Sequence, residues 1–239
     1  MKRVLITGVR RIGFYIAKRL IDKGYKIAFV YRTRTQAVEE LLRQNAFGIE
    51  ADLSDHQIYS KVVEETIDHL GGIDAFIHSA SPYFSTPIES LKRDDLYAHF
   101  VPNTEAFLFL SKLLYPYMLH NSGDTKGRIV AFGDWATNTT PYRNYSAYFI
   151  SKGALHTAVK VLAKEFAPHV LVNAIALGPT LKPEDFSEEK WKEYINKTPL
   201  KRQVSIEDVV ALTEFLLEAQ SITGEIINLD SGRHISGEC

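Results

Sequence analysis

The sequence predicts an α/β fold in which one doubly wound parallel sheet of about seven strands, with helices on both faces, spans residues 1–239. Three observations predict it. Short apolar runs alternate with segments of helical period along the chain, the pattern of a parallel sheet covered on both sides. The first run, Arg3 to Thr7, ends at Gly8 before a helical segment; such a strand–glycine turn–helix unit aims helix N-terminal amides at a phosphate, though a turn this poor in glycine equally suits plain packing of helix on strand. Polar and aromatic residues then gather where the strands end, at the rim where such sheets bind ligands.

Each element follows in order. After the first strand, Phe14 to Leu20 reads with helical period. Lys26 to Tyr31 is the second strand, and it ends in Tyr31-Arg32-Thr33-Arg34 rather than in an acidic residue. In a dinucleotide fold this position meets the adenosine ribose, where a carboxylate favours a free 2′-hydroxyl and an arginine a 2′-phosphate. Arg32, with Arg10 or Arg11 from the first turn, therefore points to NADPH over NADH; the alternative is solvated surface arginine. Gln36 to Gln44 is a helix, Phe47 to Glu50 a strand, and Ala51-Asp52-Leu53-Ser54 its exit turn. A helix over 55–70 leads to a strand at Ile73 to His78, which runs out into Ser79-Ala80-Ser81-Pro82-Tyr83-Phe84. Gly8, Arg32, Asp52 and Ser79–Tyr83 thus fall along one rim.

Residues 88–120 are helical but interrupted at Pro102-Asn103, where a proline predicts a break or kink. A kink frees a backbone carbonyl and turns Asn103 inward, although most buried asparagines are structural. Gly127 to Phe132 is the fifth strand, and Asp134 just beyond it is either a turn cap or a site acid. Tyr145 to Phe166 is a helix and Leu171 to Ala176 a strand that turns away through Leu177-Gly178-Pro179-Thr180. The charged, aromatic stretch over 180–200 is expected to be a lid. A helix at 206–218 and a strand at 225–229 complete the sheet.

Composition narrows the function classes. A formal net charge of −1 gives no sign of nucleic acid or an anionic membrane as partner. The single cysteine, Cys239, permits no intrachain disulfide, which fits a reducing cytoplasm. The opening residues read as a strand rather than a signal peptide, and no apolar run approaches the ~20 residues needed to span a bilayer. With no repeat or linker, one domain is expected.

The helix that begins at Tyr145 carries the chemistry. Tyr148 and Lys152 are four apart and lie on one face. A neighbouring ammonium stabilises a phenolate, which makes tyrosine a usable proton donor or acceptor near neutral pH. Alone, the spacing is also what chance places on many helices.

The chain resembles the short-chain dehydrogenase/reductases over essentially its whole length. The resemblance is carried by Thr7-Gly8…Gly13, Asp52, His78-Ser79-Ala80-Ser81, Asn103, Tyr148-x-x-x-Lys152, Asn173…Gly178-Pro179-Thr180 and Thr223-Gly224…Asp230-Ser231-Gly232. It implies a Rossmann-type fold, Tyr148 as proton donor, Lys152 on the nicotinamide ribose, and Asn103 holding a relay water. It implies NADP contacts at Gly8, Arg10, Arg11, Ile12, Gly13, Arg32, Thr33, Asp52, Leu53, Ser79, Ala80, Ser81, Gly178, Pro179 and Thr180, as well as at Tyr148 and Lys152. Assembly as a homotetramer or homodimer through helices near 88–120 and 146–167 follows from the same resemblance.

Where the family usually has a serine after the fifth strand, this chain has Asp134, as in the pteridine reductase and dihydromonapterin reductase branch. That branch is also similar in the Ser79–Pro87 loop, the Tyr145/Tyr148 doublet, Arg10-Arg11-Ile12-Gly13 and the ending Asp230-Ser231-Gly232-Arg233-His234. The implied activity is reduction of a pterin C=N bond, with Tyr83 stacking the ring, Arg11 and Ser81 contacting it, and Asp134, Tyr145 and Tyr148 around it. No metal enters this reading. Three features depart from the pattern: a phosphate turn one residue short, His78-Ser79 in place of Asn-Asn or His-Asn, and one extra residue between Asp134 and Tyr148. The last lets Trp135 compete for the aspartate's place. The rival enzyme reading is a 3-oxoacyl- or enoyl-thioester reductase, because Tyr145 stands seven before Lys152, where enoyl reductases carry their tyrosine. A third reading is a non-catalytic NADP-binding sensor.

Overall fold

The computed structural model describes residues 2–183 and 186–236; Cys239 lies outside the described residues, as do two positions of the expected lid. Seven strands form one parallel sheet: β1 (Arg3–Thr7), β2 (Lys26–Tyr31), β3 (Phe47–Glu50), β4 (Ala75–His78), β5 (Gly127–Asp134), β6 (Val170–Leu177) and β7 (Ile226–Leu229). Their order is β3-β2-β1-β4-β5-β6-β7. The chain steps outward from β1 to β3, returns to β4 on the other side of β1, and steps outward again. This is the doubly wound Rossmann-type sheet, with its switch point between β1 and β4.

The strands read as near-continuous apolar runs because both faces are covered. One face packs Phe76, Phe107, Leu110, Leu114, Leu155 and Val159 under α3 (Tyr59–Leu70), α5 (Ala106–Met118) and α6 (Ser146–Phe166). The other packs Ile6, Ile16, Leu20, Phe29, Leu41, Val209 and Leu216 under α1 (Ile12–Asp22), α2 (Gln36–Arg43) and α8 (Ile206–Glu218). Each such fully buried side chain contributes about 1.5–3 kcal/mol. Two further helices, α4 (Arg93–Phe100) and α7 (Glu188–Asn196), border the carboxyl rim.

Three local outcomes sharpen the expectation. Pro102 distorts its helix without ending it. Residues Val101–Glu105 form a π turn between α4 and α5, and the amide of Ala106 bonds the carbonyl of Val101. Proline has no N–H to give the ordinary ladder, so the bonding shifts to a wider register and the helix continues. Strand β5 is two residues longer than expected, because Gly133 and Asp134 stay in register with Ala176 and Leu177 of β6. The segment over 180–200 is not irregular throughout: it contains α7, capped by the Ser187 hydroxyl on the amide of Lys190 at 3.2 Å.

Candidate active site

The extra length of β5 delivers Asp134 to the carboxyl rim, where its two oxygens divide their work. Oδ1 accepts from the amide of Ala136 at 2.8 Å and caps the short 3₁₀ turn at Trp135–Asn138. Oδ2 accepts from the hydroxyl of Tyr148 at 3.0 Å, and the hydroxyl of Tyr142 lies 3.5 Å from the same atom. The two sequence alternatives for Asp134, cap and site acid, are therefore both geometries of one side chain. Trp135 presents no carboxyl there; its ring lies under the guanidinium of Arg233, 5.2 Å from the centroid.

Helix α6 reaches this strand because Gly133 has no side chain. A Cβ there would stand 2.0 Å from Nε2 of His156. One turn up the helix, Lys152 is buried and donates from Nζ to the carbonyl of Phe132 at 2.7 Å. Burial lowers its pKa to about 8, against the pull of Asp134. Burial likewise raises the Asp134 carboxyl to about 6, opposed by the Ala136 amide, Tyr148, Lys152 and Tyr142. Tyr148 is pushed well above the ordinary phenol value, first by burial and then by the Asp134 charge. The expected easing of this tyrosine's ionisation by Lys152 is outweighed here by burial. Nζ lies 5.8 Å from the Tyr148 ring centre and gives one of its three hydrogens to the Phe132 carbonyl.

Asn103 sits in the π turn, fully buried. Its amide donates to the Ser151 hydroxyl at 2.8 Å, and its backbone carbonyl lies 3.1 Å from Nε2 of His78. A carbonyl only accepts, so Nε2 carries the proton; Nδ1 of His78 then accepts from the Thr7 hydroxyl at 2.9 Å. Burial, followed by the Lys152 charge, lowers the His78 pKa to about 3. The widened turn frees the Asn103 carbonyl as expected, but His78 takes it up rather than leaving it for a relay water alone. Oδ1 of Asn103 is buried without a protein partner.

The loop after β4 is stitched to the start of α6. The amide of Thr86 bonds the carbonyl of Asn144 at 2.6 Å, and its hydroxyl accepts from the Ala147 amide at 3.1 Å, capping the helix. This seating stacks Tyr83 on Tyr145, with centroids 4.6 Å apart and planes at 16°, and sets it edge-on to Tyr148 at 5.0 Å. Tyr83 was expected to offer a ring face to a ligand; here one face is given to Tyr145. Ser81 is exposed and its hydroxyl donates to the carbonyl of Pro82 at 3.4 Å. Arg11 reaches across the rim. Nη2 donates to the carbonyls of Leu181 and Lys182 at 2.8 and 3.0 Å, tying the first turn to the segment beyond β6.

The remaining rim residues frame a dinucleotide groove. Gly8 has φ +79°, and a Cβ on it would meet the Ala80 amide nitrogen at 2.3 Å, so the first turn and the loop after β4 touch backbone to backbone. The Ser79 hydroxyl holds that turn from behind, on the carbonyls of Thr7 and Gly8 at 2.6 and 3.1 Å. Gly13 lies against the same hydroxyl, where a Cβ would stand 2.6 Å away. Helix α1 starts at Ile12 with no side chain capping it; the Phe14 amide turns back to the carbonyl of Arg11 at 3.2 Å, and a helix start without a side-chain cap suits an anion. Arg32 and Thr33 are exposed at the end of β2, and Arg32 reaches Asp52 at 3.9 Å. Leu53 is buried and its carbonyl accepts from Tyr59 at 3.0 Å. Beyond β6, Gly178 packs on Asp230, the Pro179 carbonyl accepts from Val204 at 2.8 Å, and Thr180 bonds the carbonyl of Gly178 at 3.1 Å. A helix start without a side-chain cap, a turn that only glycine fits and an exposed arginine at the end of β2 suit a dinucleotide with a 2′-phosphate.

Three participants escaped sequence reading. Thr86 and Tyr142 come from loops without periodicity, and Tyr194 comes from α7. Tyr194 is close enough for its ionisation to respond to Asp134, Trp135, Tyr142 and Arg233, although burial dominates. The only signal in the sequence was an unusual density of tyrosine over 142–148.

Comparisons with known proteins agree in direction. The family model described as enoyl-(acyl carrier protein) reductase matches residues 8–234. A dihydromonapterin reductase of Shigella boydii serotype 4 is 28% identical over 233 residues, covering 97% of this chain and 96% of its own. One from Citrobacter koseri is 29% identical over 237 residues, with the same coverage. Among solved structures, FolM alternative dihydrofolate reductase 1 from Brucella suis, in complex with NADP, has a TM-score of 0.91 at 28% identity, covering 100% of this chain and 97% of that one. A Serratia marcescens short-chain dehydrogenase/reductase mutant has a TM-score of 0.88 at 25% identity, covering 98% of both chains.

Proposed function

The chain belongs to the short-chain dehydrogenase/reductase family, and we propose that it is an NADPH-dependent reductase of a pterin: dihydrofolate, dihydrobiopterin or dihydromonapterin. One observation carries the substrate class: a buried carboxyl, Asp134, hydrogen-bonded to Tyr148 where a serine is usual. A serine hydroxyl suits a carbonyl oxygen. A carboxyl near pKa 6 can hold a proton and pass it through a tyrosine to a basic ring nitrogen.

In this reading NADPH supplies the hydride to the carbon of the C=N bond. The start of α1 and the Gly8 turn would hold its pyrophosphate, and Arg32 its 2′-phosphate. Lys152, hydrogen-bonded to Phe132, would hold the nicotinamide ribose. Tyr148 gives its proton to the ring nitrogen as Asp134 refills it, and Tyr83 and Tyr145 wall the ring. The described residues of the expected lid, 180–183 and 186–200, would cover the site. Exposed Phe109, Ile150 and Val161 on α5 and α6 support self-assembly into a dimer or tetramer. No helix among the described residues is long and apolar enough to cross a membrane, and a cytoplasmic location belongs to the same proposal.

The thioester-reductase alternative rests on Tyr145 and on the wording of the matched family model. Against it, the tyrosine on the site carboxyl is Tyr148, and Tyr145 spends its ring on Tyr83. NADPH oxidation measured side by side with dihydrofolate, dihydrobiopterin and acetoacetyl thioester decides. Turnover of a pterin and not of the thioester is expected; thioester turnover alone overturns the assignment. Turnover of neither, with tight NADPH binding, leaves the sensor reading. Asp134→Ser should lose pterin reduction if the carboxyl relays a proton, and keep it if Asp134 only caps its turn.

A further inference from the structure

Tyr142 lies outside every motif, in the loop before α6, yet it faces the same carboxyl oxygen as Tyr148. Its ring is fixed edge-on against Phe149 at 4.6 Å and Tyr145 at 5.6 Å, and its hydroxyl stands 3.5 Å from Oδ2 of Asp134. Because Oδ1 is occupied by the Ala136 amide at 2.8 Å, Oδ2 is the oxygen whose proton can move. Two phenols therefore compete for one oxygen. The nearer, Tyr148 at 3.0 Å, is the better acceptor of an Oδ2 proton, and the farther can still donate to the other lone pair.

We propose that Tyr142 is a positioning residue for proton transfer, whose hydroxyl donates to Oδ2 of Asp134 and so directs the carboxyl's own proton onto Tyr148. The inference rests on the pterin-reductase reading, in which Asp134 refills Tyr148. As NADPH gives hydride to the substrate carbon, the Tyr148 O–H bond breaks and an N–H bond forms on the ring. The Asp134 O–H bond breaks and the Tyr148 O–H bond is restored. The substrate gains one hydride and one proton, and Asp134 is left as a carboxylate that solvent reprotonates before the next turnover. That carboxylate then accepts from both phenols, so Tyr142 favours the state in which the proton has been delivered.

The groups facing Asp134 define what a pH experiment reads. Tyr148 and Lys152 come from α6, Tyr142 from the loop before it, Tyr83 from the loop after β4, Tyr194 from α7, and the Ala136 amide from its own turn; Tyr83 and Tyr194 also hydrogen-bond the Tyr142 hydroxyl. Arg233 stands beyond Trp135. His156, against Gly133, is kept neutral by burial, which lowers it to about 4. Of these, Tyr142 can be deprived of its donor while keeping its ring. Its hydrogen bond lowers the proton affinity of Asp134, so Tyr142→Phe should raise it.

The test is a pH titration of the NADP-saturated protein carrying ¹³C-carboxyl aspartate, with the Asp134 signal assigned through Asp134→Asn, alongside kcat and KM profiles for dihydrobiopterin. Tyr142→Phe should move the Asp134 midpoint, and with it the alkaline limb of kcat, upward by about 0.5–1 pH unit. Turnover below the limb should fall roughly three- to tenfold with KM unchanged. Tyr145→Phe, which keeps the aromatic cluster and removes a hydroxyl not bonded to Asp134, should leave the midpoint in place. An unmoved midpoint in Tyr142→Phe, or an equal shift in Tyr145→Phe, overturns the inference. If the wild-type protein turns over no pterin, the function reading fails separately, and the titration still reports on Tyr142.

Discussion

The hydroxyl of Tyr148 lies 3.0 Å from Oδ2 of Asp134, joining the first turn of α6 to the last residue of β5. The two groups are matched in opposite senses. Burial raises the phenol far above neutrality and holds the carboxyl near pKa 6, so the carboxyl is the member that titrates in the working range. A tyrosine that cannot ionise easily can still relay a proton, provided one arrives as another leaves.

Tyr148→Phe removes the relay without changing the ring. Turnover should fall about 10²–10⁴-fold. NADPH affinity, followed by nicotinamide fluorescence, should change less than about threefold, because the cofactor's phosphates are held elsewhere. Near-full activity in this variant would sink the assignment.

Arg32 stands exposed at the end of β2, 3.9 Å from Asp52. Losing a charge-assisted bond to a 2′-phosphate costs about 1.5–3 kcal/mol. Arg32→Ala should therefore weaken NADPH binding roughly 10- to 100-fold and leave NADH binding nearly unchanged. Equal loss for both cofactors would contradict the 2′-phosphate role.

Gly8 combines a positive φ of +79° with backbone 2.3 Å from where a Cβ would stand. Gly8→Ala has neither room nor a relaxed conformation, and should cost about 2–4 kcal/mol. For a chain of this size that lowers Tm by roughly 4–16 °C. A change of less than a degree in a thermal scan would show that the turn has slack.

His78 is held neutral inside the fold, with its pKa lowered from 6.5 to about 3. The unfolded chain binds the extra proton first, so stability is whole above pH 6.5 and is lost as pH falls toward 3. His78 alone should account for about 2 kcal/mol of that loss by pH 5. Asp134 has the opposite sign, since its raised pKa adds stability as pH falls from about 6 to 4. Urea unfolding of wild type and His78→Asn at pH 7.5 and 5 isolates the histidine: the variant should lose markedly less stability on acidification. Parallel losses in the two proteins would refute the neutral, buried assignment.

The alternation of strands and helices was legible along the chain because burial on both sheet faces writes itself as uninterrupted apolar runs, and the helices as period. Strands β2 and β3 and helix α8 fall where the pattern places them. Pro102 was legible as an irregularity but not as a π turn, because a proline announces a missing N–H and not the register that replaces it. Arg11, Ser81 and Tyr83 were legible as rim residues. Their partners were not, since side-chain direction in a loop depends on contacts that sequence spacing does not encode.

By itself the sequence determined the doubly wound sheet, the glycine turn before α1, the arginine at the end of β2 and the one helical face shared by Tyr148 and Lys152. Local period and local chemistry suffice for these. Only the tertiary structure decided that Lys152 donates to Phe132 and that Asp134 both caps a turn and holds Tyr148. It alone placed Tyr142, a residue with no motif, on the same oxygen. Those relationships join a strand end, a loop and a helix, and their energetics come from burial. How far a carboxyl is removed from water, and which hydroxyls remain to satisfy it, is fixed only when the sheet and α6 close on each other at Gly133.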